Sequence, residues 1–209
     1  MNTKAILFFT VVFFFALAVS IISFLVAYDD PLRFSIRLFA LNGFIALCIA
    51  TIMTPFLKEI TIYLKKPFLR VHHYFAALGL TLITLHPIFS AIQRLNPSVF
   101  LPTVGSFDMF MTNGGRQALI IIYIAFFAVI LRRKIVSYWR PFHALMYVAL
   151  FFGIVHANLI GTDFQNILVL ISFNALFAAS ILAFVLKRWQ MHNIRIKQKE
   201  RAKKTQLTD

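Results

Sequence analysis

The sequence predicts an all-α polytopic membrane protein, a six-transmembrane-helix bundle with both termini cytoplasmic. Hydrophobic residues make up 60% of the 209 positions and charged residues only 13%, which is more apolar surface than a soluble domain of this length can bury. Six apolar segments approach the ~20 residues that a helix needs to cross a bilayer. The positive charges are concentrated in the connections that would lie on one side of that bilayer.

The six apolar segments divide the chain into a transmembrane domain, residues 1–186, and a basic cytoplasmic tail, residues 187–209. Proline, glycine and aspartate mark the connections, for example in the turns 29–31 and 161–163. The fourth segment is the shortest, and its helix could begin earlier, within residues 109–115. The predicted helices cover approximately residues 5–28, 37–57, 69–91, 117–131, 141–160 and 165–186.

The charge distribution predicts the orientation. With the N-terminus in the cytoplasm, 17 of the 21 Lys and Arg residues lie on the cytoplasmic side. The positive-inside rule therefore predicts a multi-pass protein of the cytoplasmic membrane. Topology accounts for the net charge of +14, so nucleic acid is not an expected partner. We interpret the tail as an amphipathic extension on anionic lipid headgroups, with docking of a protein partner as the alternative.

Five of the six histidines lie near the ends of two apolar segments. Ionisable side chains inside a span are costly, so a functional role is the default interpretation. His72 and His86 in the third segment are 14 residues apart, which is about 21 Å and nearly four helical turns. Both rings therefore project from one face, one near each membrane surface.

The fifth segment has a less regular spacing. His143 and His156 are 13 residues apart, which does not bring both rings to one face of an ideal helix. A local distortion would correct the offset, and we expect it near Gly153.

The third and fifth segments run parallel, because one span separates them. His72 and His143 are then paired at the inner side, and His86 and His156 at the outer side. Two imidazoles at one depth can serve as axial ligands of a haem iron, so the sequence predicts one or two b-type haems per chain. His73 is an alternative to His72 as the inner ligand, because His73 and His86 are 13 residues apart.

Arginines near the histidines are candidates for contacts with haem propionates. These are Arg70 and Arg140 at the inner side, and Arg37, Arg94 and Arg116 at the outer side. The predicted spans contain no Asp or Glu, which argues against a proton relay or a divalent-metal transporter. The single cysteine argues against a Cys-ligated zinc or iron–sulfur site. No dinucleotide or phosphate-binding glycine motif is found, so no flavin or nicotinamide domain and no catalytic residue is predicted.

One pattern of residues resembles the ferric-reductase-like transmembrane family. Within that family, the chain is most similar to the haem-binding membrane subunit of bacterial protein-methionine-sulfoxide reductase systems. The similarity spans residues 44–160. It is carried by Trp139-x3-His143-x3-Tyr147-x8-His156, by Arg132-Arg133-Lys134 before it, by Thr54-Pro55, and by Arg70…Gly79…His86.

The resemblance implies a six-helix haem b protein that moves electrons across the cytoplasmic membrane. The donor would be a quinol or a cytoplasmic flavin reductase that uses FMN, and the acceptor an extracytoplasmic methionine-sulfoxide reductase. It implies His86, His143 and His156 as haem ligands. His72 matches the fourth ligand of two-haem relatives, where the methionine-sulfoxide reductase branch usually has arginine.

Two alternatives to this function stay open. Relatives with fused flavin domains reduce ferric iron or oxygen, so the chain could act as a metal or oxygen reductase at its own outer haem. A non-redox transporter or assembly factor is the third hypothesis.

Overall fold

The structure, a computed structural model, describes the backbone of residues 3–102 and 105–206 and the side chains up to residue 200. The parts of the predicted domain and tail at residues 1–2 and 207–209 lie outside this description. The described residues form nine α-helices and no strand. The helices are α1 Thr3–Ala27, α2 Pro31–Ile52, α3 Leu57–Leu64, α4 Phe68–Arg94, α5 Phe107–Thr112, α6 Gly114–Ile130, α7 Trp139–Ala144, α8 Met146–Ile160 and α9 Ile167–Gln206.

Six helical spans are long and apolar enough to cross a membrane: α1, α2, α4, α6 with the turn that follows it, α7 with α8, and α9. They confirm the predicted all-α polytopic bundle. Large apolar side chains on the outside of the bundle, such as Phe13 at 62% and Leu25 at 75% exposure, form a surface suited to lipid.

The second span is displaced toward the N-terminus at both of its ends relative to the predicted bounds. It begins at Pro31 instead of residue 37, because Asp30 caps the helix by accepting a hydrogen bond from the Arg33 backbone N–H (2.9 Å) and proline suits the first helical turn. It ends at Ile52 instead of residue 57, shortly before Pro55, since a proline disfavours helical geometry in the residue that precedes it.

Two connections predicted as loops contain helices. Helix α3 lies within the basic connection after α2 and ends at Lys65, which adopts a left-handed conformation with φ 50°. The connection between α4 and α6 contains a 3-10 turn, Pro97–Phe100, and helix α5. Helix α6 begins at Gly114, inside the region where the sequence allowed an early start.

The distortion expected near Gly153 lies elsewhere, so this prediction is wrong in its position. The fifth span is interrupted at Leu145, between α7 and α8. The Leu145 N–H bonds to the carbonyl of Phe142 at 3.1 Å, three residues back, which is a tighter turn than the α-helical one. Gly153 lies within α8, where an added Cβ would be 3.5 Å from the Phe44 ring, an ordinary contact.

Helices α2 and α4 pack closely because each has a glycine at the contact with the other helix. A Cβ added at Gly43 would lie 2.8 Å from Cγ1 of Ile83, and one added at Gly79 would lie 2.7 Å from Cγ of Leu47. Helix α8 packs on α6 in turn, and α4 shares no extended interface with α7 or α8 in the described part of the chain. The two histidine-bearing spans are therefore each held by a different neighbour.

The alternating direction of the spans gives the bundle two ends. We call the end that carries the α2–α4 and α6–α7 connections the basic side, and the other end the opposite side. The predicted end of the sixth helix at residue 186 is wrong, because α9 continues without a break to Gln206. Its 40 residues are about 60 Å long, roughly twice the thickness of the hydrocarbon core.

Candidate functional site

The histidines of the basic side face each other across the bundle. His72 on α4 and His143 on α7 have their ring centres 6.4 Å apart, with the ring planes at 78°. Phe68, one turn before His72, stacks on its ring at 5.5 Å. His73 is exposed. The structure thus places His72, and not His73, opposite His143, and we call His72 and His143 the basic-side pair.

The second pair lies at the opposite side. His86 and His156 lie toward the C-terminal ends of α4 and α8, near enough for a charge on one ring to affect the other. We call them the opposite-side pair. The positive charge of Arg94 is near enough to His86 for an electrostatic interaction, and that of Arg116 is near enough to His156. Two of the arginines predicted near the outer histidines are therefore at this pair.

All four paired histidines make the same kind of hydrogen bond through Nδ1. Each Nδ1 contacts a main-chain carbonyl of a neighbouring helix. The distances are 3.0 Å from His72 to Ala50, 2.9 Å from His86 to Ile36, 3.3 Å from His143 to Ala125, and 2.6 Å from His156 to Thr112. Because a carbonyl oxygen can only accept, Nδ1 donates in each case. The neutral ring then carries no proton on Nε2, which is the tautomer that binds a metal.

The four carbonyls belong to helices that do not carry the paired histidines. Ile36 and Ala50 are on α2, so α2 orients both rings of α4. Ala125 on α6 and Thr112 at the end of α5 orient the rings of the fifth span. Thr112 occupies the last turn of its helix, where carbonyls lack an intrahelical partner. The packing of α2, α5 and α6 against the two spans therefore fixes the ring orientations.

The ring separation of the basic-side pair agrees with that of two imidazoles that would share one iron. An iron that accepts a nitrogen from each ring at about 2.0–2.1 Å would hold the ring centres about 6.3 Å apart, since each centre lies roughly 1.1 Å behind its nitrogen. The observed separation is 6.4 Å. In the described residues no group of three or more His, Cys, Asp or Glu could hold an ion, so each site offers two ligands only.

Gly115 is a site residue that the sequence analysis missed. A Cβ added there would lie 3.1 Å from both Nε2 and Cδ2 of His156. That distance is tighter than side-chain packing normally allows, so glycine keeps clear the nitrogen that would bind iron. Gly114 approaches α8 in the same way, because its added Cβ would be 3.0 Å from the carbonyl oxygen of Phe152. The signal in the sequence was the pair of adjacent glycines at positions 114 and 115.

The arginines predicted near propionates differ in their surroundings. Arg37 is committed to a buried ion pair with Asp163 and does not support a propionate contact. Arg116 donates to the carbonyl of Leu101 at 3.2 Å. Arg70 and Arg140 are exposed at the basic side.

The fold and the site define a class, a polytopic helical membrane protein with two pairs of histidines at two depths. Comparisons with models of protein families, with curated proteins and with solved structures find no match. The resemblance to the ferric-reductase-like family therefore stays a prediction.

Proposed function

We propose that this protein binds b-type haem between its third and fifth spans and transfers electrons across the cytoplasmic membrane. The proposal is supported by one observation, which is that four histidines at two depths share the same tautomer. In each of them Nδ1 donates to a main-chain carbonyl, so Nε2 is available to bind a metal. Four independent side chains with one tautomer are what two bis-histidine haem sites require.

The chain's own residues would position and tune the two sites. When bound, haem b supplies reversible one-electron chemistry. The main-chain carbonyls of α2, α5 and α6 hold the rings and raise the basicity of Nε2. The 14-residue separation of His72 and His86 sets the two sites about 21 Å apart along α4. Arg94 and Arg116 offer cations for propionates at the opposite-side pair.

The charge distribution predicts which histidine pair faces the cytoplasm, and the donor and acceptor then give the direction of transfer. The basic side is cytoplasmic by the positive-inside rule, so the basic-side pair would receive electrons from a cytoplasmic flavin reductase or from quinol. The opposite-side pair would pass them to an extracytoplasmic acceptor, such as a partner methionine-sulfoxide reductase. The prediction of donor and acceptor rests on the family resemblance.

Haem content tests the proposal directly. We expect protein purified after haem-replete expression to show a reducible b-type spectrum with two haems per chain. Substitution His86→Ala or His156→Ala should remove one haem, and so should His72→Ala. The matched control is His73→Ala, which changes the exposed neighbour and should keep both. A colourless wild-type protein, or equal losses in His72→Ala and His73→Ala, would contradict the proposal.

A further inference from the structure

A groove opens on the basic side between α3 and the start of α4, beyond the histidine pairs. It is a shallow groove, open to its surroundings, with a volume of about 540 Å³. The walls are mostly apolar. They are formed by Leu57, Lys58, Thr61, Ile62, Pro67, Phe68 and Leu69.

The groove forms because only one face of the short helix α3 packs against the bundle. Leu64 is buried, and Ile60 packs with it against a cluster from α1, α2 and α4. The other face of α3 is left open, with Ile62 at 70% exposure, and Leu69 at the start of α4 is 59% exposed. Since α3 connects two spans, this open apolar face lies at a membrane surface.

The charges around the groove favour an anionic occupant. Lys58 is part of the wall, and the segment from residue 57 to residue 70 contains three further cations, Lys65, Lys66 and Arg70, against one acid, Glu59. An apolar trough with cations at the membrane surface matches a phospholipid with a fatty-acyl chain and a net negative headgroup. A zwitterionic lipid would fill the trough without using the excess positive charge.

We propose that this groove is a binding site for an anionic phospholipid. An acyl chain lies along Ile62 and Leu69, and Lys58 pairs with the phosphate. Phe68 forms part of the wall and also stacks on His72 at 5.5 Å, so occupancy of the groove bears on the basic-side pair. The binding site does not depend on haem, whereas this coupling to the pair rests on the proposed function.

Native mass spectrometry of the full-length purified protein tests the site. Phosphatidylglycerol and phosphatidylcholine with equal chains serve as probes. We expect phosphatidylglycerol adducts to persist at several-fold lower lipid concentration, and Lys58→Gln to abolish that preference. Lys134→Gln, an exposed cation on the same side, is the matched control and should keep it. Ile62→Trp fills the groove and should reduce adducts of both lipids, with the melting temperature in detergent reporting that each variant is folded.

Three results would overturn the proposal. Equal retention of both lipids by the wild type would make the groove an unselective lipid-facing surface. Equal loss of preference in Lys58→Gln and Lys134→Gln would assign it to general surface charge. A lipid-free protein that forms dimers through this face would show that a second copy covers the groove.

The coupling has its own readout. In nanodiscs, replacing phosphatidylcholine by phosphatidylglycerol should shift the midpoint potential of the haem at the basic-side pair and leave the other haem unchanged. Phe68→Leu removes the ring that connects the groove to His72, so we expect the shift to be lost. An unchanged potential with retained selectivity would contradict the coupling alone. A protein without haem would contradict the proposed function, while the lipid selectivity would still stand or fall by mass spectrometry.

Discussion

The two histidine pairs are supported in different ways. At the opposite side, His86 bonds to the carbonyl of Ile36. Arg37, which follows Ile36 on α2, forms a buried ion pair with Asp163 in the turn after α8. At the basic side, His72 is supported by the Phe68 ring, and His143 makes the longest of the four carbonyl bonds, 3.3 Å. A charged network therefore lies beside the support of one pair, whereas ring stacking and an open groove lie beside the other.

The charged network around Arg37 connects α1, α2 and the turn between α8 and α9. The Arg37 guanidinium donates to both carboxylate oxygens of Asp163, from Nε at 2.9 Å and from a terminal nitrogen at 2.5 Å. It also donates to the carbonyls of Ser23 (2.6 Å) and Ala27 at the end of α1. The side chains of Arg37 and Asp163 are only 10% and 5% exposed. The comparison thus predicts that the opposite-side pair is the more rigid but is vulnerable to loss of one charge.

The largest effect is expected for Asp163→Ala. Removing one partner of a buried ion pair leaves the other charge unpaired, which costs about 3–5 kcal/mol. We expect a lower unfolding temperature in detergent and loss of haem from the opposite-side pair before the basic-side pair. Asp108→Ala, an exposed acid on the same side, is the control and should have little effect. If both haems disappear together, the two pairs are not supported independently.

Gly79→Ala should disturb both pairs equally. The added Cβ would lie 3.0 Å from the Leu47 backbone nitrogen, so α2 must move, and α2 carries the carbonyl partners of His72 and His86. Overpacking of this kind costs about 1–3 kcal/mol. Haem content measured by absorbance should fall at both sites. Loss confined to one site would show that α2 does not orient both rings.

Gly115→Ala should affect the opposite-side pair alone. The methyl group would press on Nε2 of His156, 3.1 Å away, and displace the ring by a few tenths of an ångström, at a cost of about 1 kcal/mol or more. We expect weakened haem binding at that pair in a haem titration. Gly153→Ala is the control, because its Cβ meets Phe44 at an ordinary 3.5 Å, and it should be tolerated. A normal titration of Gly115→Ala would show that the ring can yield without consequence.

The smallest effect is expected for the amide pair between α8 and α9. Asn158 and Asn174 bond to each other in both directions, at 3.2 and 3.0 Å, two residues beyond His156. Hydrogen bonds between transmembrane helices contribute about 0.6 kcal/mol on average. A double-mutant cycle of Asn158→Ala and Asn174→Ala should return a coupling energy of that size, with haem content unchanged. A coupling energy near zero would show that the hydrogen bonds between Asn158 and Asn174 do not stabilise the opposite side.

The spans could be predicted from the sequence because hydropathy is a local property of each segment. The pairing of His72 with His143 and of His86 with His156 was predicted from topology alone, and the structure brings the rings of His72 and His143 to a separation of 6.4 Å. The break at Leu145 could not be predicted, because glycine at position 153 was the stronger local signal and the tight turn at Leu145 uses no special residue. Helix α3 was missed because its eight residues are too few for periodicity to reveal.

The support of the histidines left little trace in the sequence. The carbonyls of Ile36, Ala50, Thr112 and Ala125 accept hydrogen bonds that no side-chain pattern encodes. The Arg37–Asp163 pair joins residues 126 positions apart, and only the packing of α1, α2 and the α8–α9 turn brings them together. The sequence therefore indicated the candidate histidines, whereas the orientation of their rings depends on tertiary contacts.

The main-chain acceptors have a consequence for how this site can evolve. A histidine oriented by a carboxylate loses its partner through a single substitution at the acid. Here every residue that keeps the helix supplies the same carbonyl at positions 36, 50, 112 and 125. We therefore expect substitutions at those four positions that keep the helix and its packing to leave the tautomer of the rings unchanged. Ala50 and Ala125 are 3% and 0% exposed, so the size of the side chain is limited there by packing and not by the hydrogen bond.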